Sequence, residues 1–442
     1  MNKDFTQGSV PRTLFLFALP ILLTSLLQAS MQLINGLWVG NLLGSDAFAA
    51  VTVATTIMMV VLAFVLGVNN ATLTIFAQLR SKGDQSEIDA YLSAFVIILG
   101  SLSLLIGLVG FVFAEPLLRL LRTPDAILAS AKIYLQINFA ATFLVIGYNF
   151  IGTVLRAFGD SKTPLYFVIV AISLTAVLGP WFMAGLNLGI AGAAYAIVLA
   201  QALTFIYSVL FLARRYRGHS LTLRVPKPAE IKIILELGIP SGAQMIVIYA
   251  GMSVILALVN SLGAHAVAGF GAAQRLDNII LLPALALGTA VNAMAAQNIG
   301  VERWQRVGQI AKVGVLYNIA IMLSIATLLF LWAEPLVRLF VQDQDSLAFG
   351  TTYLRTIAFF YPFIGLNFIL NGIVRGAGAM FQILILNIIS LWILRVPLTY
   401  WATSIYGESG VALGIGISFS ISCLFSIAYY YWGGWRTKKL FT

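Results

Sequence analysis

The chain has 442 residues, of which 60% are apolar and only 10% charged, against about 25% charged in an ordinary soluble domain. That balance, with a mean hydropathy of +0.96, excludes a soluble enzyme, a disordered chain and a nucleic-acid-binding protein. The net charge of +10 is spread too thinly for a phosphate-binding face; in a membrane protein it marks Lys and Arg held in cytoplasmic loops.

A helix that crosses a bilayer needs about 20 predominantly apolar residues. In chain order such stretches are read at 13–40, 45–70, 91–113, 134–155, 164–184, 190–212, 233–259, 266–295, 310–332, 353–373, 382–402 and 409–432. The expected fold is therefore an all-α integral membrane protein with twelve transmembrane helices. The polar start Met1–Arg12 leads into an apolar stretch far longer than a signal h-region, so the first span is read as its own targeting signal. The single cysteine, Cys423, allows no intrachain disulfide and is expected to be an inert core thiol.

An even number of spans puts both termini on one side. Nineteen of the 26 Lys and Arg residues fall at the amino terminus, in loops after even-numbered spans or in the tail, among them Lys3, Arg80, Arg156, Arg217, Lys227, Arg303, Arg375 and Lys439. The opposite side holds Arg119, Arg122, Lys132, Arg338 and Arg355. The bias predicts cytoplasmic termini.

The two halves repeat each other. Ala114-Glu115-Pro116-Leu117-Leu118-Arg119-Leu120 matches Ala333-Glu334-Pro335-Leu336-Val337-Arg338-Leu339 at an offset of 219. The same offset pairs Ala77-Gln78 with Ala296-Gln297, Tyr134-Leu135 with Tyr353-Leu354, and Arg156-Ala157-Phe158-Gly159 with Arg375-Gly376-Ala377-Gly378. Pro20 and Pro240 match at 220. The expected organisation is a six-helix lobe 1–212, a cytoplasmic linker 213–232 and a second six-helix lobe 233–442. Six spans per copy give both copies one orientation, related by a pseudo-two-fold axis along the membrane normal. Duplicated bundles of this kind favour alternating access around a cleft.

Charges inside a bilayer are costly and mark functional candidates. Deep positions hold Arg275, Asp277 and Arg395. No span interior carries His, and no metal-ligand cluster, nucleophile–base pair or phosphate loop is read. The small-residue spacing of Gly407–Gly416 predicts close helix packing. Without nucleotide-hydrolysing motifs, an ion gradient is the expected driving force, and no cofactor is expected. Arg275 and Asp277 are two apart, about 200° around a helix, so they do not face each other. Asp277 has two readings: a buried ion pair with Arg395, which would keep it charged, or a cation-binding carboxylate facing the cleft. Arg275 is read as snorkelling, pairing elsewhere or lining that cleft.

Several motifs resemble the multidrug and toxic compound extrusion (MATE) family, its bacterial DinF-like branch more than its NorM-like one. They are Pro20, the stretch Ile34-Asn35-Gly36-Leu37-Trp38-Val39-Gly40-Asn41-Leu42-Leu43-Gly44, and Gln274-Arg275-Leu276-Asp277. The segments Leu155–Asp160, Val374–Gly378 and Ile190–Ala194 add to the match. The resemblance covers nearly the whole chain. It implies a multi-pass transporter of the bacterial inner membrane, not an enzyme. Such a protein would export amphipathic, often cationic, drugs as protons or sodium ions enter. Its partners would be drugs, the coupling ion and the bilayer, with no nucleic acid, and it is expected to act as a monomer.

The departures from the family pattern matter. Where members usually carry Asp in the first span this chain has Asn35, Gly179 rather than Asp precedes Pro180, and span 353–373 has no acid. Asn35 is read either as natural divergence, with coupling moved to Asp277, or as an Asp→Asn replacement that mimics a protonated acid. The arginines available to Asp277 favour the second. The single intramembrane acid favours protons over sodium, since a hard cation wants several oxygen ligands. Pro20 weakens the first helix, so straight and bent forms are expected, with Asn35 holding the form that protonation favours. The site expected from sequence is thus Pro20, Asn35, Arg275, Asp277 and Arg395. The competing functions are a lipid-linked oligosaccharide or polysaccharide flippase of the same superfamily and a sodium-coupled antiporter. A membrane-embedded lipid transferase is a more distant rival, because no catalytic constellation is read.

Overall fold

The structure is a computed structural model that describes residues 4–215 and 223–441. Lys3, together with Arg217 and His219 of the expected linker, lies outside the described residues. The described chain is almost wholly helical. Its first half contains α1 (Val10–Leu43), α2 (Ser45–Lys82), α3 (Gln85–Val112), α4 (Ala114–Leu120), α5 (Asp125–Ala140), α6 (Thr142–Ala157), α7 (Lys162–Pro180) and α8 (Gly189–Arg215). The second half contains α9 (Pro228–Asn260), α10 (Ala264–Ile280), α11 (Leu282–Gly300), α12 (Trp304–Arg338), α13 (Gln344–Ala358), α14 (Tyr361–Gly376), α15 (Met380–Ile388), α16 (Val396–Tyr406) and α17 (Ser409–Trp432).

Ten of the described helices, with α10 and α11 counting as one and α15 and α16 as another, are long and apolar enough to span a bilayer. Two pairs, α5 with α6 and α13 with α14, bend by 47° and 53° at their junctions. Each pair counted as one span brings the number to twelve, at the places the sequence predicts. The bends sit at Ala141 and at Phe359-Phe360, equivalent points of the two repeats. The protein is a multi-pass membrane protein.

By their internal packing the residues form two compact units, one of Leu23–Leu235 and one of Asp4–Leu22 with Glu236–Thr442. The division falls within α1 and α9, near Pro20 and Pro240. Each repeat's first helix therefore starts in one unit and continues in the other. Proline removes a backbone donor inside a helix, yet α1 runs without a break from Val10 to Leu43.

Lipid-facing and core-facing residues divide as a membrane requires. Leu104, Leu105 and Leu108 of α3 and Leu316 and Leu328 of α12 are exposed. Half of the buried residues of α11 are small: Ala284, Ala286, Gly288, Ala290, Ala293, Ala295 and Ala296. Hydrocarbon gives no hydrophobic drive between helices, so close van der Waals approach through small residues replaces it. Gly288 and Gly372 are where α11 and α14 meet: a methyl on Gly288 would stand 2.9 Å from the Phe368 carbonyl oxygen. The Gly407–Gly416 pattern is the same device. A methyl on Gly414 would stand 2.8 Å from the Leu398 carbonyl oxygen, across the α16–α17 contact.

Capping fixes the shorter junctions. Gly83 takes φ +77° and closes α2 on the Leu79 carbonyl, and the Asp84 side chain accepts from Glu87 N–H to start α3. Asp343 caps α13 by accepting from Ser346 N–H at 3.0 Å. Those bonds hold its carboxyl below the usual range.

The amino-terminal segment is tied to the second unit. Phe5 is fully buried and packs edge-on against Phe17 at 4.7 Å. Its N–H donates to Gln297 Oε1 at 3.0 Å, and its carbonyl accepts from Arg306 Nε at 2.9 Å. The carboxy-terminal Trp435 is buried, stacks on Tyr430 at 5.4 Å and donates to the Tyr430 carbonyl at 2.9 Å.

Candidate functional site

The second unit builds a polar cluster inside an apolar core. Asp277 lies on α10, Tyr353 on α13 and Tyr361 opens α14. The bend between α13 and α14 lets both tyrosines reach one carboxylate. Tyr353 Oη donates to Asp277 Oδ2 at 3.2 Å, and Tyr361 Oη donates to Oδ1. Both rings are buried, at 4% and 1% exposure. Phe270 fixes the Tyr353 ring edge-to-face at 5.2 Å.

Arg395 lies within reach of the same region but has other partners. The helix widens into a π-turn over Ile389–Arg395 ahead of Pro397, as expected where a proline removes an i→i−4 donor. That turn carries Arg395 inward. Its Nε donates to Ser418 Oγ at 3.1 Å, and the guanidinium lies 4.6 Å from the Phe419 ring centre. Of the two readings of Asp277, the ion pair with Arg395 is not formed: the carboxylate is held by two neutral hydroxyls, and the guanidinium by a serine and an aromatic face. Arg275 is exposed and stands 5.7 Å from the Phe340 ring centre, pointing away from Asp277 as their spacing requires.

The first unit has a matching arrangement. Tyr134, the repeat equivalent of Tyr353, is 4% exposed. Asn35 of α1, Thr55 of α2 and Asn138 of α5 lie in its surroundings, and Asn138 Nδ2 donates to the Tyr134 backbone carbonyl at 2.8 Å. Asn35 thus lies near Tyr134, as Asp277 lies at Tyr353, although only Asp277 bonds its tyrosine and the two come from different helices of their repeats. Pro20 is buried and belongs with the second unit, whereas Asn35 belongs with the first.

Sequence reasoning located Asn35, Asp277 and Arg395 but missed Tyr134, Tyr353, Tyr361 and Ser418. A signal for two of them was present, because Tyr134 and Tyr353 mark the repeat. Hydroxyls on apolar helices do not announce themselves, and Tyr361 and Ser418 reach their partners only through the α13–α14 bend and the α17 packing. Arg156 and Arg375, read as loop residues, instead form the last turns of α6 and α14, half-buried.

The MatE family model matches the chain twice, over residues 20–181 and 240–401, in register with the internal repeat. "Probable multidrug resistance protein YpnP" of Bacillus subtilis (strain 168) is 51% identical over 439 residues, covering 99% of each chain. An "FAD transporter" of Shewanella oneidensis is 25% identical over 96% of this chain and 94% of its own. The solved Vibrio cholerae MATE transporter VcmN D35N mutant superposes with a TM-score of 0.91 at 22% identity, covering 98% of both chains. The double match and the half-identical relative place this chain in the MATE family, whose members are membrane transporters and not enzymes.

Proposed function

We propose that the chain is a multidrug efflux antiporter of the bacterial inner membrane, exporting amphipathic, often cationic, compounds in exchange for protons by alternating access. The observation that carries this reading is Asp277, a carboxylate held by Tyr353 and Tyr361 with no ion pair to it among the described residues. Only a proton or a positively charged substrate is left to neutralise it, and one displaces the other. Two phenolic oxygens and one carboxylate make a thin ligand set for sodium, which favours protons. The multidrug names of the Bacillus subtilis relatives support broad substrates. The positive-inside bias supports cytoplasmic termini.

Mechanistically, tyrosine hydroxyls stabilise a charged Asp277 by hydrogen bonds that strengthen with its charge. Protonation weakens that demand and frees the α10 segment and the α13–α14 bend to repack. In the first unit Asn35 cannot titrate, so the second unit carries the exchange. The test is drug transport by the full chain in proteoliposomes under separate proton and sodium gradients. Export driven by an inward proton gradient, and lost in Asp277→Asn, is the expected result. Equal export under a sodium gradient alone would overturn proton coupling.

A further inference from the structure

Arg395 has an environment that the exchange at Asp277 does not use. It is 7% exposed. Nε donates to Ser418 Oγ at 3.1 Å, and Met252 Sδ stands 3.9 Å from Nη1. The guanidinium carbon stands over the Phe419 ring, 4.6 Å from its centre. Nη2 makes no hydrogen bond to protein and is not sealed in by it. Among the described residues no ion pair involves Arg395; His265–Glu408, Arg338–Glu334 and Lys439–Glu302 are pairs elsewhere in this unit.

A buried cation without a counter-charge is costly, more so within a bilayer. Ser418 and the Phe419 ring offset part of that cost. What remains is a planar fork with an open edge, the geometry that matches a carboxylate, phosphate or sulfonate. The surroundings add apolar, polarisable contact from Phe419 and Met252.

We propose that Arg395 is an anion-binding subsite, taking the carboxylate, phosphate or sulfonate group of an amphipathic molecule whose apolar body rests on Phe419 and Met252. Its role in transport rests on the reading of the preceding subsection; the binding itself does not. Tyr353, bonded to Asp277, also lies within the electrostatic reach of Arg395. One unit thus offers an acid and an uncompensated base, a combination suited to substrates carrying both charges.

The test uses the detergent-solubilised full chain and two fluorescent probes of one shape, dansylglycine with its carboxylate and the neutral dansylglycinamide. The carboxylate should bind at least about tenfold more tightly. Arg395→Gln should abolish that preference and Arg395→Lys should keep part of it. Met252→Glu leaves Arg395 in place but gives it an internal carboxylate, and should abolish the preference too. This variant keeps the test sound if Arg395→Gln fails to fold. Equal affinity of the two probes for the unaltered chain, or a preference surviving Met252→Glu, overturns the proposal. Displacement of dansylglycine by short-chain phosphatidylglycerol but not phosphatidylcholine assigns the subsite to lipid head groups, and no displacement assigns it to soluble anions. Either outcome supports the subsite. Probe preference without proton-driven export would count against the antiport reading alone.

Discussion

Replacing Asp277 by Ala separates the tyrosine-held carboxylate from an arginine-paired one. In the structure the substitution strands two buried hydroxyls, those of Tyr353 and Tyr361. Leaving a buried hydroxyl without a partner costs about 1–3 kcal/mol, so the pair amounts to about 2–6 kcal/mol if neither finds water. The rings themselves are unaffected, because Phe270 and the surrounding core still hold them. Adding Tyr353→Phe and Tyr361→Phe removes the stranded hydroxyls while keeping the ring shapes. Replacing both partners of a buried bond by apolar groups of similar shape is close to neutral, so the triple variant should recover more than half of the loss. An arginine-paired carboxylate behaves differently. There Asp277→Ala would leave a buried cation, at about 3–5 kcal/mol, and only a change at Arg395 would relieve it. The assay is unfolding of the purified protein by sodium dodecyl sulfate, followed by tryptophan fluorescence. Rescue by Arg395→Met and not by the two phenylalanines would refute the tyrosine-held site.

Four further outcomes are expected. Asn35→Asp should create or strengthen pH-dependent drug export and Pro20→Ala should weaken it, read as resistance in a sensitive strain; no change with Asn35→Asp would leave coupling to Asp277 alone. Cysteines replacing Gln342 and Ser409 should react with an impermeant thiol reagent in intact cells, while those replacing Lys227 and Thr437 should not; outside labelling at Lys227 would invert the topology. Trp435→Ala should cost about 3–5 kcal/mol, because the buried ring stacks on Tyr430 and contacts Trp304, and a melting temperature within two degrees or so of the parent would contradict this. The carboxyl of Asp343 is held below its unfolded value of about 3.9, so its cap adds stability above that pH and loses it as pH falls through the folded value; Asp343→Asn should flatten this acid limb of the stability curve.

The sequence by itself determined the number and order of the spans, because apolar length is a one-dimensional property. It determined the duplication too, since Tyr134 and Tyr353, or Arg156 and Arg375, recur at one offset whatever the fold. It pointed to Asp277 and Arg395 because charge is rare in an apolar run. Only the tertiary structure decided their partners. Asp277 and Arg395 are separated by 118 positions, and no spacing rule could tell a direct ion pair from two residues served by separate neighbours. The bend at Phe359-Phe360 turns Tyr361 back toward Asp277, and the π-turn before Pro397 sets Arg395 against Phe419 and Ser418. Both are local breaks in helical regularity, whose direction depends on the helices packed around them. The passage of α1 and α9 from one unit to the other was likewise hidden. A continuous helix gives no sequence sign of where its neighbours change, so packing alone divides Pro20 from Asn35 on one unbroken element.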